Sequence, residues 1–136
     1  KGGKSVERGL GKMDEKICLD SDFIIGLIND EDKANKFFDQ NSSFEMCTTT
    51  INVFELFLRI ENLEEMETFL NNVNVLDFDK KSAILASEIN KSLKKSGALI
   101  EFRDIFIAAV CIVNNCNLAT LNKKHFSRIK ELKLLQ

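Results

Sequence analysis

Three acidic residues stand in apolar surroundings, at points where buried elements begin or end. Asp20 follows the apolar residues 17–19, Asp104 precedes the apolar run 105–113, and Glu55 lies inside the largely apolar segment 51–60. An isolated carboxylate on a buried surface is costly unless it is paired. Mg²⁺ and Mn²⁺ prefer hard oxygen ligands, and such ions activate water for attack on phosphate esters. The three acids in combination therefore predict a metal site that acts on phosphate.

Each acid also has a purely structural interpretation. A helix entered directly after a strand often carries an acid in its first turn, which caps free backbone N–H groups, and this applies to Asp20 and Asp104. Glu55 has the spacing to complete a capping box that begins at Asn52. Helical spacing, however, places Glu55 beside Leu58 on the apolar face, which favours a positively charged partner for its carboxylate.

Strand and helix patterns alternate along the chain. Short apolar runs predict strands at 16–19, 44–48, 73–78, 117–120 and 132–135. Helical spacing predicts helices after Ser21 or Asp22, after 29–32, from 49 onward, over 63–70, over 79–95 and after 104. This alternation predicts an α/β sandwich around a mainly parallel sheet. Sites in such sheets form at the carboxyl ends of strands, where both Asp20 and Asn122 fall.

Apolar positions of these helices predict the core. In the helix over 79–95, which should end at Gly97, the inward residues are Ile84, Leu85, Ile89 and Leu93. Four aromatic residues are assigned to the core as well, namely Phe37, Phe38, Phe54 and Phe57. Any part of that aromatic set that is exposed becomes a docking surface for a partner segment.

Composition indicates one globular domain. The chain has 136 residues, of which 44% are hydrophobic and 29% charged, enough for a proper core. The longest apolar run, 105–113, is about half the length that a bilayer requires, and the basic N-terminus is not followed by an apolar signal segment. These features predict a cytoplasmic protein with no membrane partner.

Charge is distributed unevenly. Four basic residues against one acid give residues 1–12 a net charge of +3, and since the whole chain carries −2, residues 13–136 carry −5. An acidic domain disfavours broad electrostatic binding of nucleic acid but suits a pocket that a divalent cation neutralises. The glycine-rich segment 1–12 is interpreted as a flexible extension or cloning remnant, or alternatively as an RNA-contacting arm, ahead of a single domain over 13–136.

Cysteine spacing gives little support for zinc. Cys18, Cys47, Cys111 and Cys116 form no CxxC pair, and the single histidine, His125, has no nearby cysteine partner. The first three cysteines lie in apolar runs, which predicts reduced thiols in the core.

Four motifs occur in an order that resembles a known family. They are ICLDSDFII at 17–25, TTTINVFEL at 48–56, RDIFIAA at 103–109 after Gly97, and LATLNKKHF at 118–126. The chain resembles the PIN-domain family, and within it the small prokaryotic toxin ribonucleases of the VapC type. The resemblance extends from about residue 16 to 135 and implies a three-layer α/β/α sandwich.

The resemblance also implies a function and a site. The expected activity is that of a Mg²⁺- or Mn²⁺-dependent endoribonuclease, with Asp20, Glu55 and Asp104 as metal-ligand carboxylates. Asn122 stands where many members have a fourth acid, which leaves the number of metal ions open. Expected partners are the RNA substrate, an antitoxin protein and a second copy of the chain in a homodimer.

Supporting residues follow from the same motifs. Asp22 replaces the family's usual asparagine and is either an additional carboxylate or a helix cap. Ser21 and Thr120 are expected to hydrogen-bond the metal-binding groups. Glu101 has no counterpart and is expected on the solvated surface.

Basic residues gather after Asn122. They form either a solvated face or a phosphate-holding rim, and the residues concerned are Lys123, Lys124, Arg128, Lys130 and Lys133. His125 belongs to the same segment and is assigned to the rim rather than to acid–base catalysis.

Three alternatives to a toxin remain open. The first is a housekeeping PIN nuclease that processes RNA without an antitoxin, and the second is a catalytically silent PIN module that binds RNA or protein. The third is a phosphatase of the haloacid dehalogenase type, suggested by the D-x-D spacing of Asp20 and Asp22. That chemistry also requires a loop lysine and a late pair of aspartates, and the sequence after 117–120 lacks such a pair.

Overall fold

The computed structural model describes residues 15–135, so the interpretation of residues 1–12 lies outside the described residues. Its centre is a five-stranded sheet in the order β3-β2-β1-β4-β5, in which every pairing is parallel. The strands are β1 Lys16–Leu19, β2 Glu45–Thr49, β3 Asn74–Leu76, β4 Cys116–Ala119 and β5 Lys133–Leu134. The predicted strands are therefore confirmed, with differences only at their ends.

Helices connect the strands and cover both faces of the sheet. They are α1 Ser21–Ile28, α2 Asp32–Gln40, α3 Thr50–Arg59, α4 Leu63–Leu70, α5 Lys80–Lys95, α6 Phe102–Val113 and α7 Lys123–Phe126. Parallel strands require such crossover connections, and they bury both faces of the sheet. The predicted α/β architecture is confirmed.

Two hydrophobic clusters separate the layers. Successive residues of β1 point to opposite faces, so Cys18 packs with α5 and α6 while Ile17 and Leu19 pack with α1, α3 and α4. Helix α6 supplies the largest share of the first cluster, and most of its residues from 105 to 111 are fully buried. All four cysteines are buried and free, and the pKa of the Cys18 thiol is raised by its contact with Cys111 and by burial.

Some core predictions were wrong. Ile84 is 53% exposed, because the buried face of α5 runs through Ser82, Ala86, Ile89 and Leu93. The packing of α5 on α6 decides which side of α5 is buried. Helical spacing alone does not distinguish this side from one that is rotated by a single residue. Phe54 is 68% and Phe57 44% exposed, whereas Phe37 and Phe38 pack against the second cluster as expected.

Helix ends follow local chemistry. Neither Ser21 nor Asp22 caps α1; the cap is Asp20, whose carboxylate accepts the Ser21 backbone N–H. The N-cap of α3 is Thr49 rather than Asn52, so the predicted capping box of Asn52 and Glu55 was wrong. Helix α5 does end as predicted: Gly97 takes φ 68°, a left-handed conformation that glycine adopts readily.

Asp79 caps the N-terminus of α5. Its carboxylate accepts the backbone N–H of Ser82 at 2.9 Å, and this bond is the main reason that the pKa of Asp79 is lowered. Thr49 performs the same task for α3 with a hydroxyl that does not titrate, accepting the Asn52 backbone N–H at 3.2 Å. In the described part of the chain, no helix has the length and apolar character needed to cross a membrane.

Candidate active site

The predicted acids meet at the carboxyl edge of the sheet. Because β1 and β4 are parallel neighbours, the residues that follow them, Asp20 and Thr120, lie side by side, and the Asp20 backbone N–H donates to the Ala119 carbonyl at 3.0 Å. Helix α6 brings Asp104 to the same edge in its first turn. Asp20 is 4% and Asp104 2% exposed, so both carboxylates are almost completely buried.

One backbone N–H and two side chains fix the orientation of Asp20. One carboxylate oxygen accepts the Ser21 backbone N–H at 2.8 Å and the Asn52 Nδ2 amide at 3.0 Å. The other accepts the Thr120 hydroxyl at 2.7 Å. Asn52 is itself held by the Thr49 hydroxyl, which donates to its Oδ1 at 2.7 Å. Asp20 is thus both a helix cap and one of the acids that meet at this edge.

Arg103 lies between the three acids. Its Nε donates to Glu55 Oε2 at 2.9 Å, and its Nη2 donates to Glu55 Oε1 and Asp20 Oδ1, both at 2.7 Å. Its Nη1 donates to Asp104 Oδ1 at 2.8 Å. One guanidinium therefore bonds all three carboxylates, and we call Asp20, Glu55, Asp104 and Arg103 together the acid cluster.

The acid cluster shifts the pKa values of two of its members. The hydrogen bond from Arg103 lowers the pKa of Glu55, and a hydrogen bond from the Ser21 hydroxyl acts in the same direction. Partial burial lowers the pKa of Arg103, but its bonds to Glu55 and the charge of Asp20 outweigh burial and raise that pKa above its ordinary value. Arg103 is thus fully charged, as charge-assisted bonding to carboxylates requires.

Asn122 lies at the fourth corner. Its amide Nδ2 donates to Asp104 Oδ2 at 3.3 Å and lies 3.1 Å from His125 Nδ1. Its backbone N–H donates to the Thr120 hydroxyl at 3.0 Å, which links it to the group that orients Asp20. His125 Nδ1 is 3.7 Å from Asp104 Oδ2, so this ring faces the site from its rim.

Other candidate residues lie apart from the acid cluster. Asp22 is exposed and pairs with Arg59 at 3.3 Å, and it does not cap α1, whose cap is Asp20. Glu101 is exposed, as predicted. Lys123, Lys124 and Arg128 are exposed on and after α7, and Arg128 donates to the Leu99 carbonyl at 3.1 Å.

The donor set of the acid cluster suits a divalent cation in its chemistry. All the groups are hard oxygens, supplied by three separate elements and directed at one positive charge, and Mg²⁺ and Mn²⁺ favour such donors. Within residues 15–135, no three histidine, cysteine or acidic side chains are drawn close enough together to hold an ion. The spacing of the acids is that of the guanidinium, whose nitrogens contact each of them.

Sequence reasoning missed Arg103 and Asn52. Arg103 stands in the motif at 103–109 without an assigned role, and Asn52 was predicted only to begin a capping box with Glu55. A signal for Arg103 was available, because three buried carboxylates require a compensating cation and Arg103 adjoins Asp104. For Asn52 the signal was its spacing, because it lies four residues before Leu56 and therefore on the same side of α3. These two residues are the fully buried residues of α3.

An open apolar groove adjoins the acid cluster. It has a volume of about 410 Å³ and is lined by Ile51, Phe54, Glu55, Leu58, Arg103 and Phe106. Glu55 does lie beside Ile51 and Leu58 as predicted, but Leu58 is 71% exposed. The face of α3 that carries Phe54, Glu55 and Leu58 is therefore the wall of a surface groove, whereas Leu56 belongs to the core.

Comparison with known proteins identifies the family. The family model for the PIN domain matches residues 17–132. The chain belongs to the PIN-domain family. That span contains every member of the acid cluster and the strands β1 to β4 apart from the first residue of β1. Strand β5 lies just beyond it.

Relatives and solved structures agree with this assignment. Ribonuclease VapC2 of Haemophilus influenzae is 31% identical over 126 residues, covering 87% of this chain and 95% of the relative. The tRNA(fMet)-specific endonuclease VapC of Salmonella typhimurium is 28% identical over 127 residues, covering 88% and 96%. The structure of DNA-bound VapBC from Salmonella typhimurium superposes with a TM-score of 0.78 at 26% identity, covering 89% of this chain and 97% of the other.

Proposed function

We propose that this PIN domain is a divalent-metal-dependent endoribonuclease that hydrolyses RNA phosphodiester bonds, and that it is the toxin of a toxin–antitoxin pair. The observation that carries the proposal is the convergence of Asp20, Glu55 and Asp104 on one cation at the carboxyl edge of a parallel sheet. The ribonuclease names of full-length relatives support the reaction class. The domain is proposed to span 13–136 and to act in the cytoplasm.

In this proposal the three carboxylates hold the ion. A bound Mg²⁺ or Mn²⁺ supplies activation of the attacking water and compensation of charge on the phosphate. Asn52 and Thr120 keep Asp20 turned towards the ion, and the Ser21 backbone N–H also donates to the Asp20 carboxylate. Mg²⁺ is the proposed working ion, with Mn²⁺ as a substitute of similar ligand preference.

Asn122 and the basic residues after it contribute in a different way. The Asn122 amide donates to Oδ2 of Asp104, which leaves Oδ1 of Asp104 for the ion. Lys123 and Lys124 are exposed next to it on α7, where their charge would hold the RNA backbone beside an otherwise acidic domain. His125 extends the same rim, whereas Arg128 donates to the Leu99 carbonyl.

Partners are proposed from the relatives and from exposed apolar area. Several solved neighbours are VapBC complexes, and we propose that an antitoxin covers this chain too. Phe54 and Leu58 are large side chains left exposed beside the acid cluster, which is typical of surfaces that bind another chain. The antitoxin and a second copy of the chain are the proposed occupants of exposed apolar surface.

The test is cleavage of purified bulk tRNA and of a mixed RNA pool by the wild type and by Asp104→Asn, with Mg²⁺, Mn²⁺ or a chelator. Glu101→Gln is the matched control, because Glu101 is an exposed acid at the start of the same helix. We expect metal-dependent cleavage by the wild type and the control, and loss of about 10²-fold or more in Asp104→Asn. Equal cutting by all three proteins would contradict the proposal.

A catalytically silent binding module is the second candidate, and one observation favours it. Arg103 already satisfies all three carboxylates, which is also how a domain without an ion would stabilise its acids. RNA binding without cleavage under every metal condition would support this candidate. The phosphatase alternative has no support, because Asp22 faces Arg59 on the surface rather than the acids.

A further inference from the structure

Arg103 and a divalent ion need the same oxygens. The guanidinium contacts Asp20 Oδ1, Asp104 Oδ1 and both oxygens of Glu55, at 2.7 to 2.9 Å. A Mg²⁺ ion contacts its oxygen ligands at about 2.1 Å. Two cations on the same carboxylate oxygens would lie within a few ångströms of each other, where like charges repel strongly in a partly buried site.

Asp20 and Asp104 are better fixed than the arginine. Asp20 retains its bonds from Ser21, Asn52 and Thr120 whether or not Arg103 is present. Asp104 likewise retains its bond from Asn122. The Arg103 side chain is 30% exposed on a long flexible stem, in the first turn of α6.

The Arg103 side chain has space to move away from the three acids. The groove of about 410 Å³ that it lines is open and bears Phe54 and Phe106, and aromatic faces accommodate a guanidinium. Withdrawal into this groove would break only the side-chain bonds between Arg103 and the three acids. Arg103 can therefore move away while Asp20 and Asp104 keep their other hydrogen bonds.

We propose that Arg103 is an internal counter-ion that competes with the divalent metal, so that the ion binds only when Arg103 withdraws from Asp20, Glu55 and Asp104. This inference rests on the proposed metal-dependent function. In the ion-free protein, Arg103 prevents mutual repulsion of three carboxylates. When it withdraws, the acids are free to close around the smaller ion. Metal affinity is then set by the population of the withdrawn state.

The first test is equilibrium binding of Mn²⁺, with free ion measured by electron paramagnetic resonance, to the wild type, Arg103→Met, Arg128→Met and Asp104→Asn. If the withdrawn state is populated at about 1–10%, Arg103→Met should bind Mn²⁺ about 10- to 100-fold more tightly than the wild type. Arg128→Met makes the same change of charge at a residue that bonds the Leu99 carbonyl, and it should bind like the wild type.

The outcomes separate this inference from the proposed function. Mn²⁺ binding by the wild type that is equal to or tighter than binding by Arg103→Met would overturn competition while leaving the metal site in place. Asp104→Asn binding as well as the wild type, or no binding by either the wild type or Arg103→Met, would overturn the metal site and the inference together.

A second test uses the unmodified protein, because Arg103→Met could lose stability when the acids lose their cation. The chain has four arginines, Arg8, Arg59, Arg103 and Arg128, so their Nε–H signals are few in a ¹⁵N spectrum. The Arg103 signal, bonded to Glu55 at 2.9 Å, should shift and lose exchange protection as Mg²⁺ saturates the site. An unchanged signal while the Ser21 amide responds to Mg²⁺ would overturn the inference.

Discussion

Helices α3 and α5 use their buried residues differently: those of α5 are mainly apolar core side chains, whereas α3 buries a polar amide together with Leu56. Helix α5 buries Ala86, Ile89 and Leu93, as an amphipathic helix on a core does. Helix α3 instead buries Asn52 completely and exposes Phe54. The first arrangement lowers the free energy of the fold, whereas the second uses a buried amide to orient Asp20 and leaves the Phe54 ring exposed. The two helices therefore separate stability from function within one small domain.

The largest effect on stability is expected in α5. Ile89→Ala removes a 94%-buried side chain from the cluster beneath α5 and α6, which should cost about 2–5 kcal/mol of unfolding free energy. Urea unfolding followed by circular dichroism measures this change. Phe54→Ala in α3 is the control and should change stability by less than about 0.5 kcal/mol, because its ring is already in solvent. A loss at Phe54 as large as that at Ile89 would contradict the comparison.

The next effect concerns function in α3. Asn52→Ala removes the amide that bonds Asp20 and Ser21, and supporting residues of this kind typically contribute about 10- to 100-fold to metal affinity. We expect the Kd for Mn²⁺ to rise by that factor, as measured by equilibrium binding. Asn90→Ala in α5 is the matched control, since the same substitution there lies in the other helical layer. Equal losses in both variants would mean that Asn52 acts only through stability.

The smallest effect distinguishes the two N-caps by their pH dependence. The folded-state pKa of Asp79 is lowered by the Ser82 N–H, so the stability from this cap is complete above the unfolded-state pKa of about 3.9. It is lost as pH falls through the lower folded-state pKa. The stability difference between the wild type and Asp79→Asn, from urea unfolding, should therefore shrink between pH 6 and pH 3. Asp77→Asn, an exposed neighbour, should not reproduce the trend, and Thr49 caps α3 without titrating.

Sequence predicted the parts of this molecule that depend on local order. Strands, most helices and the positions of Asp20 and Asp104 follow from apolar runs bounded by polar residues. Arg103 was not predicted as a site residue, because its role depends on three acids from distant segments meeting at one point. The exposure of Ile84 and Phe54 was missed for a related reason. Periodicity identifies an apolar face but not whether another element covers it.

The hydrogen bond from Thr120 to Asp20 joins residues 100 positions apart. It lies at the end of the parallel pair β1 and β4, whose strands are distant in sequence, unlike the strands of a hairpin. Contacts between distant segments form late in folding, because a long loop must close first. On a ribosome, a chain that has emerged only as far as α5 contains Asp20 and Glu55 but neither Asp104 nor Thr120. In the proposed function, activity therefore requires nearly the whole domain, and a nascent chain that ends at α5 lacks two of the residues assigned to the site.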